Sequence, residues 1–307
     1  MTATLAALVM ICGCSHAPAA PRAEHPYPKV GVILLSLATG TVKASASVGG
    51  DLVAVTLSED GEIAYVADSA PGDVYALTMP ALTVVWKQHV GGSPFGLLVH
   101  GGRLLVSLFA GAAVVALDPL NGAQMASYHV PAGPAEIALD AQGRVVVAGT
   151  RGQVTYLDGT QLRAGTGFAI ALVDGTMWTE DYERAELVHL GDGHRIGLPL
   201  PLFPFWLAPG GPGQLLVSAE GGNEDDDPGG VFALDTTSEK FTTLARPRDP
   251  DQVVGFGTKV FVAAHGDKDV LAIDAEKTNI WAPGMPAVGL APDAQLGLLA
   301  VVVNDHE

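Results

Sequence analysis

The sequence predicts an all-β fold: a seven-bladed β-propeller of four-stranded antiparallel blades, closed by strands from both ends of the chain. Three observations carry this expectation. One strand is rewritten seven times at a step near 40 residues. A strand–turn–strand unit is rewritten beside it. The two ends of the chain hold complementary halves of one further unit.

Aligned on their first apolar residue, the copies of the rewritten strand begin at Val32, Val74, Val114, Val154, Leu187, Val231 and Val270, in steps of 42, 40, 40, 33, 44 and 39. A period near 40 with about four strands per repeat is the signature of a propeller blade. The second series runs through "DLVAVTLSEDGEIAYVA" from Asp51, "SPFGLLVHGGRLLVS" around Pro94 and "GPAEIALDAQGRVVVA" around Pro134. It continues in "TGFAIALVDGTMWT" around Gly167, "FPFWLAPGGPGQLLVS" around Pro204, "DPDQVVGFGTKVFVA" around Pro250 and "MPAVGLAPDAQLGLLAVVV" around Pro286. Each reads as two strands joined by a tight turn, and "EDG", "GGR", "AQG", "GPG" and "GTK" carry hairpin chemistry. Shorter stretches such as "TVVWKQHV" (83–90) and "QMASYHV" (124–130) supply the fourth strand. The 33-residue unit is the exception, with a poor last strand near "TQLRAG".

The ends fit the same scheme. The C-terminal copy stops after its second strand at "LAVVVND", and the N-terminal copy starts at its third strand, "KVGVILLS". Together they complete one blade, which closes the ring and leaves no sheet edge unpaired within it. Composition agrees: 38 Gly and 21 Pro in 307 residues disfavour long helices and suit short strands with tight turns. A sandwich is the alternative, but it requires no fixed period.

The first 28 residues stand apart. Residues 3–12 are an apolar run of signal-peptide length, too short to span a membrane. It ends in "MICGCS", which resembles a bacterial lipobox with Cys14 as the acylated residue; an ordinary cleaved signal peptide is the alternative. The expected organisation is a lipoprotein-type signal peptide over 1–13, a Pro/Ala-rich spacer over 14–28, and one propeller domain over 29–307. Both cysteines precede the domain, which excludes a disulfide or a cysteine nucleophile within it. Sixteen basic against 33 acidic residues give a net charge of −17, and no basic footprint for nucleic acid is visible.

On "DGEIAYVADSAPGDVYAL" (60–77), its continuation "VGGSPFGLLV" (90–99) and their echoes, residues 29–307 resemble the YVTN-type seven-bladed propellers. The resemblance implies an exported bacterial envelope protein that binds a ligand or serves as a scaffold, and related propellers include sugar lactonases.

No phosphate loop, nucleophile elbow, HExxH or CxxC motif is present. Propeller sites instead collect one or two residues per blade. Loops between second and third strands share a face with the loops leading into the first strand. The first set offers Asp68, Glu180, Asp181, Glu220, His265, Asn304 and Asp305; the second offers Glu136 and Asp251, with an aromatic wall of Phe95, Phe205 and Trp206. A few polar groups in an apolar recess are the usual form of a binding site. Crowded carboxylates invite a cation, so a calcium-like divalent ion is expected at this mouth or at the acidic loop 223–227. The principal reading is an envelope-anchored monomer that binds a small molecule or a protein, touching the membrane only through its lipid. The alternative is a metal-dependent lactonase or ester hydrolase.

Overall fold

The computed structural model describes residues 27–222, 227–274, 277–281 and 283–305. The signal segment, Cys14, spacer residues 14–26 and loop residues 223–226 lie outside the described residues.

The described strands form seven four-stranded antiparallel sheets. Blades 1 to 6 follow the chain over 52–89, 94–129, 134–163, 170–197, 203–245 and 250–281. Blade 7 joins Ala287–Asp293 and Leu298–Asn304 to Val30–Ser36 and Val42–Ser47. Its seam is continuous, from Val30 opposite Asn304 to Ser36 opposite Leu298. The "HGGR" hairpin turns on Gly101 and Gly102, both at positive φ, as a two-residue turn of this hand requires.

Burial explains the sequence pattern of each strand. Second strands such as Ile63–Asp68 and Leu298–Asn304 are buried almost throughout, because a neighbouring blade covers each face. They therefore read as unbroken apolar runs. Fourth strands such as Val84–His89 and Gln124–His129 alternate between exposed and half-buried, as outer edges do. The core is divided into seven apolar clusters, each shared by two successive blades, including one between blades 7 and 1. That last cluster is what distinguishes a closed ring from an open stack. The short repeat shows as a three-residue outer strand, Gln161–Arg163, and the next blade's outer strand, Arg195–Gly197, is equally short.

First strands contact one another in a circle around the axis. In six blades the pairing of first and second strand slips close to the start of the first strand. A slip of this kind takes residues out of the ladder and re-aims their side chains. Proline suits the first position, since it has no N–H to give to a ladder. The residues just after Pro94, Pro134, Pro204 and Pro250 are thereby turned toward the axis. Among the described residues no helix is long and apolar enough to cross a membrane.

Candidate functional site

The re-aimed residues meet in an axial cavity of about 570 Å³, within the size range of small-molecule sites. Phe95, Glu136, Phe205, Trp206, Asp251 and Asn304 all line it. Its mouth has two chemically different halves.

One half is aromatic. Phe95 lies 5.8 Å from Phe109, Phe109 stacks on Phe168 at 6.4 Å, and Phe168 lies 5.2 Å from Phe205. Trp206 continues the series beyond Phe205, while Tyr182 meets both Phe168 and Phe203. All seven rings are partly exposed, so they form a surface and not only a core. They come from blades 2, 4 and 5 and the short helical turn Tyr182–Arg184.

The other half is acidic. Carboxylate oxygens of Glu220, Asp249 and Asp251 all lie within 4.8 Å of one another. His265 stands beside them, its Nδ1 3.0 Å from Asp249 Oδ2 and its Nε2 3.0 Å from the carbonyl oxygen of Asn304. Both ring nitrogens thus face acceptors, an arrangement that only the doubly protonated imidazolium satisfies. The Asp249 hydrogen bond, opposed by burial and helped by Asp251, lifts the imidazole to about 9. Tyr182 joins the halves by donating to Glu220 Oε2 at 2.9 Å.

Deeper in the wall, two carboxyl groups hold three consecutive backbone N–H groups of blade 4. Glu180 Oε1 accepts from Phe168 and Ala169, and Glu136 Oε2 accepts from Ile170 at 2.7 Å. Burial pushes Glu180 up to about 8 against the pull of those N–H groups. Glu136 is raised well above the ordinary range, first by burial and further by Glu180.

The remaining candidates make scaffold contacts, Asn304 while also lining the cavity. Asp68 accepts from the N–H groups of Gly50 and Asp51. Asp181 is paired with Arg184 and Arg195, which outweigh burial and lower its pKa. Asp305 is paired with Lys268 at 2.6 Å. Asn304 Nδ2 donates to Asp51 Oδ1 and to the Leu52 carbonyl, tying blade 7 to blade 1. Its Oδ1 is buried and has no partner.

Sequence reasoning missed Phe109, Phe168, Tyr182, Asp249 and Gln252. The repeat alignment held the signal for four of them. Phe109 and Tyr182 occupy the position of Glu220, His265 and Asn304, each three past the second-strand residue that pairs with Leu97, Ile170, Leu207, Val253 or Leu290 of its first strand. Phe168 matches Phe95 and Phe205, and Gln252 matches Glu136. Asp249 carries no such signal. It adopts a left-handed backbone (φ 41°) just before Pro250, as Ser93 (φ 55°) and Gly133 (φ 77°) do before Pro94 and Pro134, so the repeat marks the geometry there but not the carboxyl.

The fold and mouth define a ring protein with a ligand-sized axial recess. Three solved structures share the architecture. Streptogramin B lyase has a TM-score of 0.66 at 14% identity, over 89% of this chain and 97% of that one. Virginiamycin B lyase from Staphylococcus aureus has a TM-score of 0.68 at 13% identity, over 89% and 98%. BamB from Moraxella catarrhalis has a TM-score of 0.53 at 17% identity, over 92% and 94%. At these identities the likeness is one of fold. No family model matches the chain, and no curated protein does.

Proposed function

We propose that the chain is an envelope-anchored propeller of the YVTN-repeat kind that binds a small amphipathic ligand at its channel mouth, as a binding or scaffold module. The observation that carries this is the two-sided mouth. A continuous, partly exposed aromatic surface adjoins a three-carboxylate cluster at one recess. The aromatic half takes a ring or apolar group, and the acidic half takes a cationic one. A BamB-like architecture is compatible with a scaffold role. Residues 1–13 act as the export signal and Cys14 carries the lipid in this reading. The Cys14→Ser protein, followed by membrane fractionation, is expected to become soluble.

The direct test is calorimetric titration with phenethylammonium and its uncharged counterpart 2-phenylethanol. The cation is expected to bind about tenfold more tightly. Phe205→Ala is expected to weaken both, and Asp251→Asn to remove the preference for the cation, at about 1–2 kcal/mol each. Equal binding of the two compounds, or the same affinity in both variants, refutes the reading.

A second reading, a metal-dependent hydrolase of lactones or esters, draws on the same cluster. Glu220, Asp249 and Asp251 offer the hard oxygen donors that suit a calcium-like ion. Such an ion would polarise an ester carbonyl and activate water. Asp249 is already engaged by His265, which carries positive charge into the cluster. Metal content of the purified protein and a lactone screen separate the two readings.

A further inference from the structure

Glu136 and Gln252 occupy the same position in blades 3 and 6, two residues after Pro134 and Pro250. They also make the same bond. Glu136 Oε2 accepts from the Ile170 N–H of blade 4, and Gln252 Oε1 accepts from the Leu290 N–H of blade 7. Each side chain thus spans to the following blade and is fixed there by one oxygen. Both line the axial cavity, and three blades of a seven-blade ring place them on opposite walls.

The second head atom of each is what remains for the channel. For Gln252 this is Nε2, since an N–H donor opposite fixes the amide with its oxygen outward to Leu290. For Glu136 it is Oε1. Neither atom has a hydrogen-bond partner among the described residues. Neither is among the buried polar atoms that lack one, which are Trp178 Nε1, Asp293 Oδ2 and Asn304 Oδ1. Both are therefore reached from the cavity.

We propose that Glu136 and Gln252 are a pair of hydrogen-bond donors on opposite channel walls that select ligands bearing a carbonyl oxygen, of the amide or ester class. The proposal rests on the ligand-binding reading of the mouth and names what enters below it. Gln252 donates through Nε2. Glu136 donates through a protonated Oε1, because the Ile170 N–H requires an unprotonated oxygen at Oε2. Burial, the dominant influence, and the neighbouring Glu180 both favour the protonated carboxyl. Glu180 is the titratable group that acts on it electrostatically.

The experiment compares phenethylamine with phenylalaninamide, which adds one carboxamide to the same skeleton. Titrations are run at about pH 6, where both ammonium groups are charged. Wild type is expected to bind the amide about tenfold more tightly, the worth of one or two well-placed hydrogen bonds. Gln252→Ala and Glu136→Ala are expected to reduce that increment severalfold, read as the ratio of amide to amine affinity within each variant. Glu136→Gln is expected to keep it, because a glutamine donates there as Gln252 does in blade 6. It also keeps the Ile170 bond, so loss of folding does not confound it. An increment that survives both alanine variants, or that vanishes in Glu136→Gln, overturns the proposal. Phenethylamine binding with no carbonyl increment in wild type overturns this proposal alone. Failure of phenethylamine to bind at all overturns the mouth reading with it.

Discussion

Glu180 occupies a position that holds Ser107 in blade 2 and Ser218 in blade 5. All three bond backbone groups at the start of a first strand, in their own blade or the next. Ser107 Oγ accepts from Gly96 N–H, and Glu180 Oε1 accepts from Phe168 and Ala169 N–H. A carboxyl does the work of a hydroxyl there and brings a titration with it. Its folded pKa of about 8 lies above the ordinary 4.5. The folded state therefore holds the proton more tightly than the unfolded chain. The associated stability is fully present below about 4.5 and is lost as pH rises through about 8. His265 has the same sign over its own window, from 6.5 to about 9. Glu180→Gln keeps the acceptor oxygen and removes the titration. Denaturant midpoints at pH 5 and pH 9 are expected to show the variant level with wild type at the lower pH. At the higher pH it is expected to be more stable, by on the order of 2 kcal/mol. A variant with the wild-type pH slope contradicts this assignment. The sequence placed Glu180 at the mouth on topology alone. Which carboxyls face a ligand and which face N–H groups or arginines depends on partners in neighbouring blades, as Asp68 and Asp181 show. That information is absent from the repeat period.

The slipped first strand is the element from which the site is made. Its start must leave the ladder for Phe95 or Asp251 to turn inward, and the N–H and C=O groups so freed need new partners. Ser107 supplies two at once, accepting from Gly96 N–H at 2.7 Å and donating to the Ala135 carbonyl of blade 3 at 2.6 Å. Ser218 repeats the second contact to Asp251. Ser107→Ala leaves a buried N–H and a buried carbonyl unpaired and is expected to cost about 2–3 kcal/mol in thermal or denaturant unfolding. A loss under 0.5 kcal/mol would mean that the slip is held by packing alone. The fold was legible because this element repeats. Pro94, Pro134, Pro204, Pro250 and Pro286 mark it at blade spacing, and the buried second strands behind it are continuous apolar runs. The aromatic surface was legible only in part. Phe109 and Tyr182 follow buried strands and read locally as strand ends, although the ring brings them to Phe168.

At the scale of the whole molecule, closure determines whether blades 1 and 6 have neighbours on both sides. Ala287–Asp293 and Leu298–Asn304 contribute Leu290, Leu298, Leu299, Val301, Val302 and Val303 as buried apolar side chains. These belong to two clusters, one shared with blade 6 and the other with blade 1. At about 1.5–3 kcal/mol for each fully buried side chain, this burial is on the order of 10 kcal/mol, comparable with the entire stability of an ordinary domain. Deleting residues 286–307 also strips Val30–Ser36 of one of its two ladder partners and removes the Asn304 link to Asp51 and Leu52. The truncated chain is expected to lose its cooperative thermal transition, and the loss should reach blades far from the cut because the ring unfolds as one unit. A circular permutant separates closure from mere chain length. Asp305 N–H donates to the Lys29 carbonyl at 2.9 Å, so a short Gly/Ser linker can join these ends without strain. New ends opened at the exposed turn beside Leu120, which is 82% accessible, leave every strand pair intact. That permutant is expected to melt within a few degrees of wild type by calorimetry, while the truncation does not melt cooperatively. A truncated chain that kept the wild-type melting temperature would show that the seam between Val30–Ser36 and Leu298–Asn304 contributes nothing to holding the ring.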